Sequence, residues 1–174
     1  MAATNPIRGG ETRTEPRNQK ITTFLWFDNN AEEAANFYTS VFKNSRILTT
    51  APYPEGGPGP KGSVMIVDFE LDGQSFTALN GGPHFKFNEA ISLLVHCNTQ
   101  EEVDYYWEKL TADGGQESQC GWLKDKYGLS WQIAPEQLLN VWSEGDPAKA
   151  QRVMQAMMSM KKLNIKDLEA AAAG

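Results

Sequence analysis

The sequence predicts an α+β fold: two β-α-β-β-β modules, then C-terminal helices. Three observations carry it. An apolar strand, a capped helix start and an aromatic pair occur twice in one register. Ile21 to Phe27 runs into Asp28-Asn29-Asn30 and then Phe37-Tyr38; Ala90 to His96 runs into Cys97-Asn98-Thr99 and then Tyr106-Trp107. Aligning Glu32-Glu33 with Glu101-Glu102 puts Tyr38 on Trp107, and a repeat this long is one supersecondary module in two copies. After each helix come short apolar runs joined by a turn, Asp72-Gly73 in one copy and Tyr127-Gly128 in the other. Beyond Pro135 the spacing becomes helical.

Ile21 to Phe27 is β-branched and aromatic and reads as the first strand. Asn30 with Glu33 resembles a capping box, opening a helix over Ala31 to Phe42 with an apolar stripe of Ala34, Phe37, Tyr38 and Val41. Arg46 to Thr50 is a short strand. Ala51 to Gly62 holds four prolines and four glycines, so it is a long surface loop of the kind that forms lids. Val64 to Leu71 and Gln74 to Asn80 are a hairpin, and Asn80-Gly81-Gly82-Pro83 ends the module.

In the second module Thr99 with Glu102 caps a helix from Gln100 to Asp113, stopped by Gly114-Gly115. Strands follow at Gln116 to Gln119, Trp122 to Lys126 and Leu129 to Ala134. Glu136 to Trp142 is a short helix. Asp146-Pro147 opens another, whose Val153, Met154, Met157 and Met158 stripe reads as packing rather than a ligand surface. Ile165, Leu168 and the alanines form the last. The organisation is a leader over 1–19, modules over 20–83 and 84–135, and a helical extension over 136–174.

The 174 residues fit one domain, or two small modules sharing a core. A net charge of −6 without a Lys/Arg cluster argues against nucleic acid as a partner. No apolar run approaches a membrane span. Cys97 and Cys120 are too few for a disulfide framework and read as reduced thiols in the cytoplasm. Met1 to Gln19 lacks the apolar core of a secretory signal. Its three arginines hint at a transit peptide, Glu11 and Glu15 oppose that, and a disordered leader is the simpler reading.

Leu25 to Ala34 with Phe37-Tyr38, Leu79-Asn80-Gly81-Gly82-Pro83, and Cys120-Gly121-Trp122 through Pro135 resemble the PhnB-like branch of the vicinal oxygen chelate (glyoxalase and dioxygenase-like) superfamily. That branch often carries the inherited label 3-demethylubiquinone-9 3-methyltransferase. The resemblance implies a cupped mixed sheet built from paired modules, and a homodimer, in some members with modules paired between chains. It fixes no reaction, because one fold hosts many chemistries.

Metal-using relatives place four ligands on the concave sheet face. Carried over by position, those slots fall on Thr23, Thr77, Ser92 and Gln132. Hydroxyls and one amide are a poor site for a divalent metal, which wants imidazole, thiolate or carboxylate donors, so no metal and no cofactor are expected. Methyl transfer finds no glycine-rich strand-to-helix turn for a nucleotide cofactor.

Cys120 is the one plausible nucleophile, with Lys124 and Lys126 near in sequence, although a small buried thiol is the commoner case. His96 and His84 are weaker catalytic candidates. His96 shares the face of Ser92 by alternation, at one end of a cavity, but reads rather as a strand histidine with a backbone partner. His84 follows Asn-Gly-Gly-Pro as an acid/base candidate at a cavity mouth, but reads rather as a solvated loop residue. Thr23 and Leu25 share a face, which sends Trp26 to the opposite one, under the helices. Asn80 and Trp122 stand at strand ends, where a cavity mouth would be. The leading expectation is a metal-independent protein that binds a small, partly apolar organic molecule in the cup between modules. An enzyme of the same superfamily and a structural dimer without ligand are the alternatives.

Overall fold

A computed structural model describes residues 20–174; the leader expected over 1–19 lies outside the described residues. Backbone contacts divide the chain into two units after Lys86. Each is a β-α-β-β-β module, and the second also carries the C-terminal helices.

The first unit runs β1 (Thr23–Phe27), α1 (Ala31–Val41), β2 (Arg46–Pro52), β3 (Val64–Leu71) and β4 (Gln74–Asn80), with sheet order β1-β4-β3-β2. β1 pairs parallel with β4; the other pairs are antiparallel. Asp72 (φ 44°) and Gly73 (φ 82°) both take positive φ, as a two-residue hairpin turn requires. One sheet face packs on α1. Leu25, Phe27, Phe69 and Phe76 are buried there, Tyr38 of α1 stacks on Phe69, and Phe69 stacks on Phe76. Each such side chain, fully buried, contributes about 1.5–3 kcal/mol, so this face decides the strand register.

The side chain of Asn30 makes no cap bond on α1. Asn80, from the end of β4, supplies it instead: its Oδ1 accepts from Ala31 N at 2.8 Å, and its Nδ2 donates to Val64 O at 2.9 Å. β2 extends through Pro52, so the proline- and glycine-rich loop begins later than the sequence predicts. The loop is closed at its base, where Tyr53 N donates to Ser63 O (2.8 Å) and Gly62 N to Tyr53 O (3.2 Å). A Cβ on Gly59 would fall on the Tyr53 ring, so the loop packs on its own tyrosine.

The second unit runs β5 (Leu93–Cys97), α2 (Gln100–Thr111), a 3-10 turn (Ala112–Gly114), β6 (Gln116–Glu117), β7 (Trp122–Lys124) and β8 (Ser130–Pro135), in the matching order β5-β8-β7-β6. Thr99 caps α2 by accepting from Glu102 N at 3.3 Å, while Glu102 Oε2 accepts from Asn98 N at 2.7 Å, a reciprocal box. Val103, Trp107 and Leu110 of α2 are buried at the positions that Ala34, Tyr38 and Val41 hold in α1.

α3 (Glu136–Glu144), α4 (Pro147–Met158) and α5 (Ile165–Ala173) enclose a core of Leu138, Val141, Val153, Leu163 and Leu168. Asp146 caps α4 by accepting from Ala148 N and Lys149 N. Met157 packs on this core, but Met154 and Met158 are exposed, so the expected methionine stripe is split. Arg152 donates to the Ala171 and Ala172 carbonyls and closes the end of α5.

Candidate functional site

The helices repeat in the register that sets Tyr38 on Trp107; the strands before them do not. Asp28-Asn29-Asn30 connects β1 to α1, whereas Asn98-Thr99, one residue fewer, connects β5 to α2. Leu25 and Phe27 therefore correspond to Val95 and Cys97, all buried. A one-residue shift turns every side chain to the other face. Thr23 consequently lies on the helix-packed face with Leu25, and Trp26 lies on the open face, the reverse of the sequence reading. Thr77, Ser92 and Gln132 do lie on open faces.

The open face of the first sheet centres on a carboxylate. Phe24, Thr77, Asp68 and Thr49 form one row across β1, β4, β3 and β2. Thr77 Oγ1 donates to Asp68 Oδ1 at 2.5 Å and Thr49 Oγ1 to Asp68 Oδ2 at 3.3 Å. In the adjacent row Ser75 faces Glu70, which pairs with Arg46 at 3.3 Å. Trp26 folds across Gly81, whose missing side chain makes room for the ring, donates from Nε1 to Gly82 O at 2.9 Å, and meets Phe85 edge-on at 4.9 Å. Beyond the strand ends a cavity of about 550 Å³ is lined by Asp28, Glu32, Tyr53, Asn80 and His84 among others. Asn80 is thus a cap residue that also borders a cavity, with both ends of its amide committed to backbone.

The open face of the second sheet carries Leu94, Gln132 and Trp122 in one row, and Ser130, Lys124 and Gln116 in the next. Gln132 Nε2 donates to Ser92 Oγ at 2.8 Å. Buried Asp125 shapes the turn between β7 and β8, accepting from Tyr127 N, Leu129 N and Trp131 Nε1 at 2.9, 3.1 and 2.8 Å. That turn brings Lys124 opposite Ser130. Lys124 pairs with Glu89, and this hydrogen bond, before the ammonium charge, holds the Glu89 carboxyl below the usual range. Ser130 is 1% exposed and its Oγ has no hydrogen-bond partner. A cavity of about 140 Å³ lies among Glu89, Gln116, Trp122, Lys124 and Ser130. His96, on the same face, meets Glu136 through Nδ1 at 2.7 Å, a side-chain partner in place of the backbone partner expected.

The two thiols differ. Cys97 is wholly buried, and burial, then the charges of Glu102 and Glu136, push it up to about 12. Cys120 takes a positive φ of 59° and is tied through its N–H to Met160 O at 2.8 Å. It is half-buried and lines neither cavity.

The sequence reading missed Asp68, Glu89, Ser130 and Glu136, and named Lys124 only as a neighbour of Cys120. Asp68 alone carried a signal, as a lone acid inside the apolar run Val64 to Phe69. These donors do not fit a divalent metal. The one central carboxylate already accepts from two hydroxyls, the other face offers one imidazole and one carboxylate bonded to each other besides an ammonium, and no group of three or more His, Cys, Asp or Glu assembles among the described residues. Among those residues no helix is long and apolar enough to cross a membrane.

Residues 19–134 match the family model described as 3-demethylubiquinone-9 3-methyltransferase. A solved PhnB protein from Bacillus cereus, titled with the same methyltransferase name at a provisional level, is 44% identical over 67% of this chain and 99% of its own, with a TM-score of 0.62. A Pseudomonas aeruginosa protein is similar in fold, at 18% identity over 68% of this chain and 98% of its own, with a TM-score of 0.57. No curated protein matches.

Proposed function

The chain belongs to the 3-demethylubiquinone-9 3-methyltransferase (PhnB-like) family of the vicinal oxygen chelate superfamily, and from that premise we propose metal-independent binding of a small, partly apolar organic molecule on an open sheet face. One observation carries the reading: exposed Leu94 and half-buried Trp122 flank Gln132, itself bonded to Ser92. An apolar platform with a few convergent polar groups is what a small-molecule site requires. Phe24 beside Thr77 offers a lesser version on the first sheet.

A second reading, catalysis, is favoured by the His96–Glu136 contact on the same face. A carboxylate on Nδ1 orients an imidazole and presents its Nε2 as a base. Methyl transfer, which the family name invokes, has less support. Neither strand-to-helix connection, Asp28-Asn29-Asn30 or Asn98-Thr99, contains the glycines that let a backbone cradle a nucleotide cofactor.

Native mass spectrometry of freshly purified protein tests the proposal. The expected spectrum is a homodimer that carries an organic adduct and no stoichiometric metal. Stoichiometric zinc, nickel, iron or manganese surviving dialysis would overturn it.

A further inference from the structure

Ser130 is the unexplained residue of the second sheet. The residue borders the 140 Å³ cavity, and its hydroxyl is buried and unpartnered. A buried hydroxyl without a partner is destabilising, and native structures rarely keep one that nothing bonds. Directly across the strands stands Lys124, and beyond it Gln116, both lining the same space. The ammonium of Lys124 meets Glu89, a largely exposed residue ahead of β5. Glu117, the other acid at the cavity, is engaged elsewhere: its Oε1 accepts from Trp107 Nε1 at 2.9 Å and its Oε2 faces Lys161 at 3.5 Å. The donors that remain are a cation, a hydroxyl and an amide, and a chain carboxylate already sits against the cation.

We propose that this pocket takes the carboxylate of a small organic anion, with Lys124 and Ser130 donating to it and the apolar body lying toward Trp122 and Leu94. Glu89 is the chain's own stand-in, displaced when the anion binds. The inference rests on the reading that an organic molecule occupies this face, and adds its charge and orientation.

The test uses the full chain and three probes of one shape: benzoate, benzamide and benzylammonium. Binding is followed at the Trp122 indole N–H by NMR, with Trp122→Phe assigning the signal. Benzoate is expected to shift it saturably and to bind about tenfold more tightly than benzamide, the scale of one charge-assisted hydrogen bond. Lys124→Met should erase that preference. Glu89→Gln should tighten benzoate several-fold, about the scale of one released ion pair, and leave benzamide unchanged. Ser130→Ala should weaken benzoate without unfolding the protein. Equal binding of benzoate and benzamide, unmoved by Lys124→Met, would overturn the anion site and leave the binding face standing. No shift from any probe, with Ser130 bonded only to ordered water, would overturn both.

Discussion

In the first sheet the row Ser75–Glu70–Arg46 neutralises its own charge, because the acid of β3 meets the arginine of β2. The matching row of the second sheet, Ser130–Lys124–Gln116, cannot: the β6 position is an amide, and Lys124 turns to Glu89 outside the sheet. The next rows differ the same way. Thr77 and Thr49 close on Asp68, while Gln132 faces Trp122 and reaches sideways to Ser92. On one face Asp68 and Glu70 find partners in their own rows; on the other the Ser130 hydroxyl is unbonded and Lys124 turns outside the sheet. Inherited topology thus leaves the rows free to become either structure or site, and the partners of four or five side chains decide which.

The largest expected effect lies on the first face. Asp68→Leu strands the buried Thr77 hydroxyl and should cost about 2–3 kcal/mol in urea unfolding. A cost near zero would mean that the first face is as open as the second. The sharper comparison sets two hydroxyl deletions side by side. Thr77→Val should destabilise by about 1–2 kcal/mol, whereas Ser130→Ala, compared in protein refolded from denaturant and free of organic adduct, should be neutral or stabilise by up to about 1 kcal/mol. Equal losses would show that Ser130 has a partner in the resting protein.

The thiols compare two depths within the second unit. At pH 8 iodoacetamide should label Cys120 and spare Cys97, whose pKa near 12 keeps it protonated; mass spectrometry after digestion reads the ratio. Acid gives the smallest effect. Hydrogen bonds from Trp107 to Glu117 and from Lys162 to Asp104 hold both carboxyls below their ordinary 4.5 and 3.8. Their stabilisation is present above those ordinary values and is lost as pH falls through the lower folded ones. Hydrogen exchange in acid should therefore show α2 loosening first where it meets Lys161 and Lys162. Unchanged protection of α2 below the folded values would remove these bonds from the account.

Most of the fold was legible. The repeat placed both modules, Asp72-Gly73 fixed a hairpin to the residue, and Asp146-Pro147 marked the start of α4. The face of β1 was not, because the repeat was aligned on the helices, and a single extra residue in the connection reverses a strand without disturbing the helix after it. Thr23 was misplaced for that reason, and Trp26 with it. Ser130 stayed hidden, and Lys124 was named only beside Cys120, for another. β7 is only three residues long, too short for alternation to show, and an unbonded hydroxyl is a property of surroundings rather than of sequence. Asn80 was read as a rim group and does border a cavity, but its cap on α1 was not legible, since a cap supplied from a distant strand leaves no local pattern.

The difference between the two faces is best tested by a high-resolution crystal structure of protein purified without added ligand, refined with its solvent. The account predicts an organic carboxylate bonded to both Ser130 Oγ and Lys124 Nζ, with Glu89 swung away and Asp68 still bonded to Thr77 and Thr49. A lone water on Ser130, Glu89 still seated on Lys124 and an organic molecule lying instead on the Thr77–Asp68 row would contradict it.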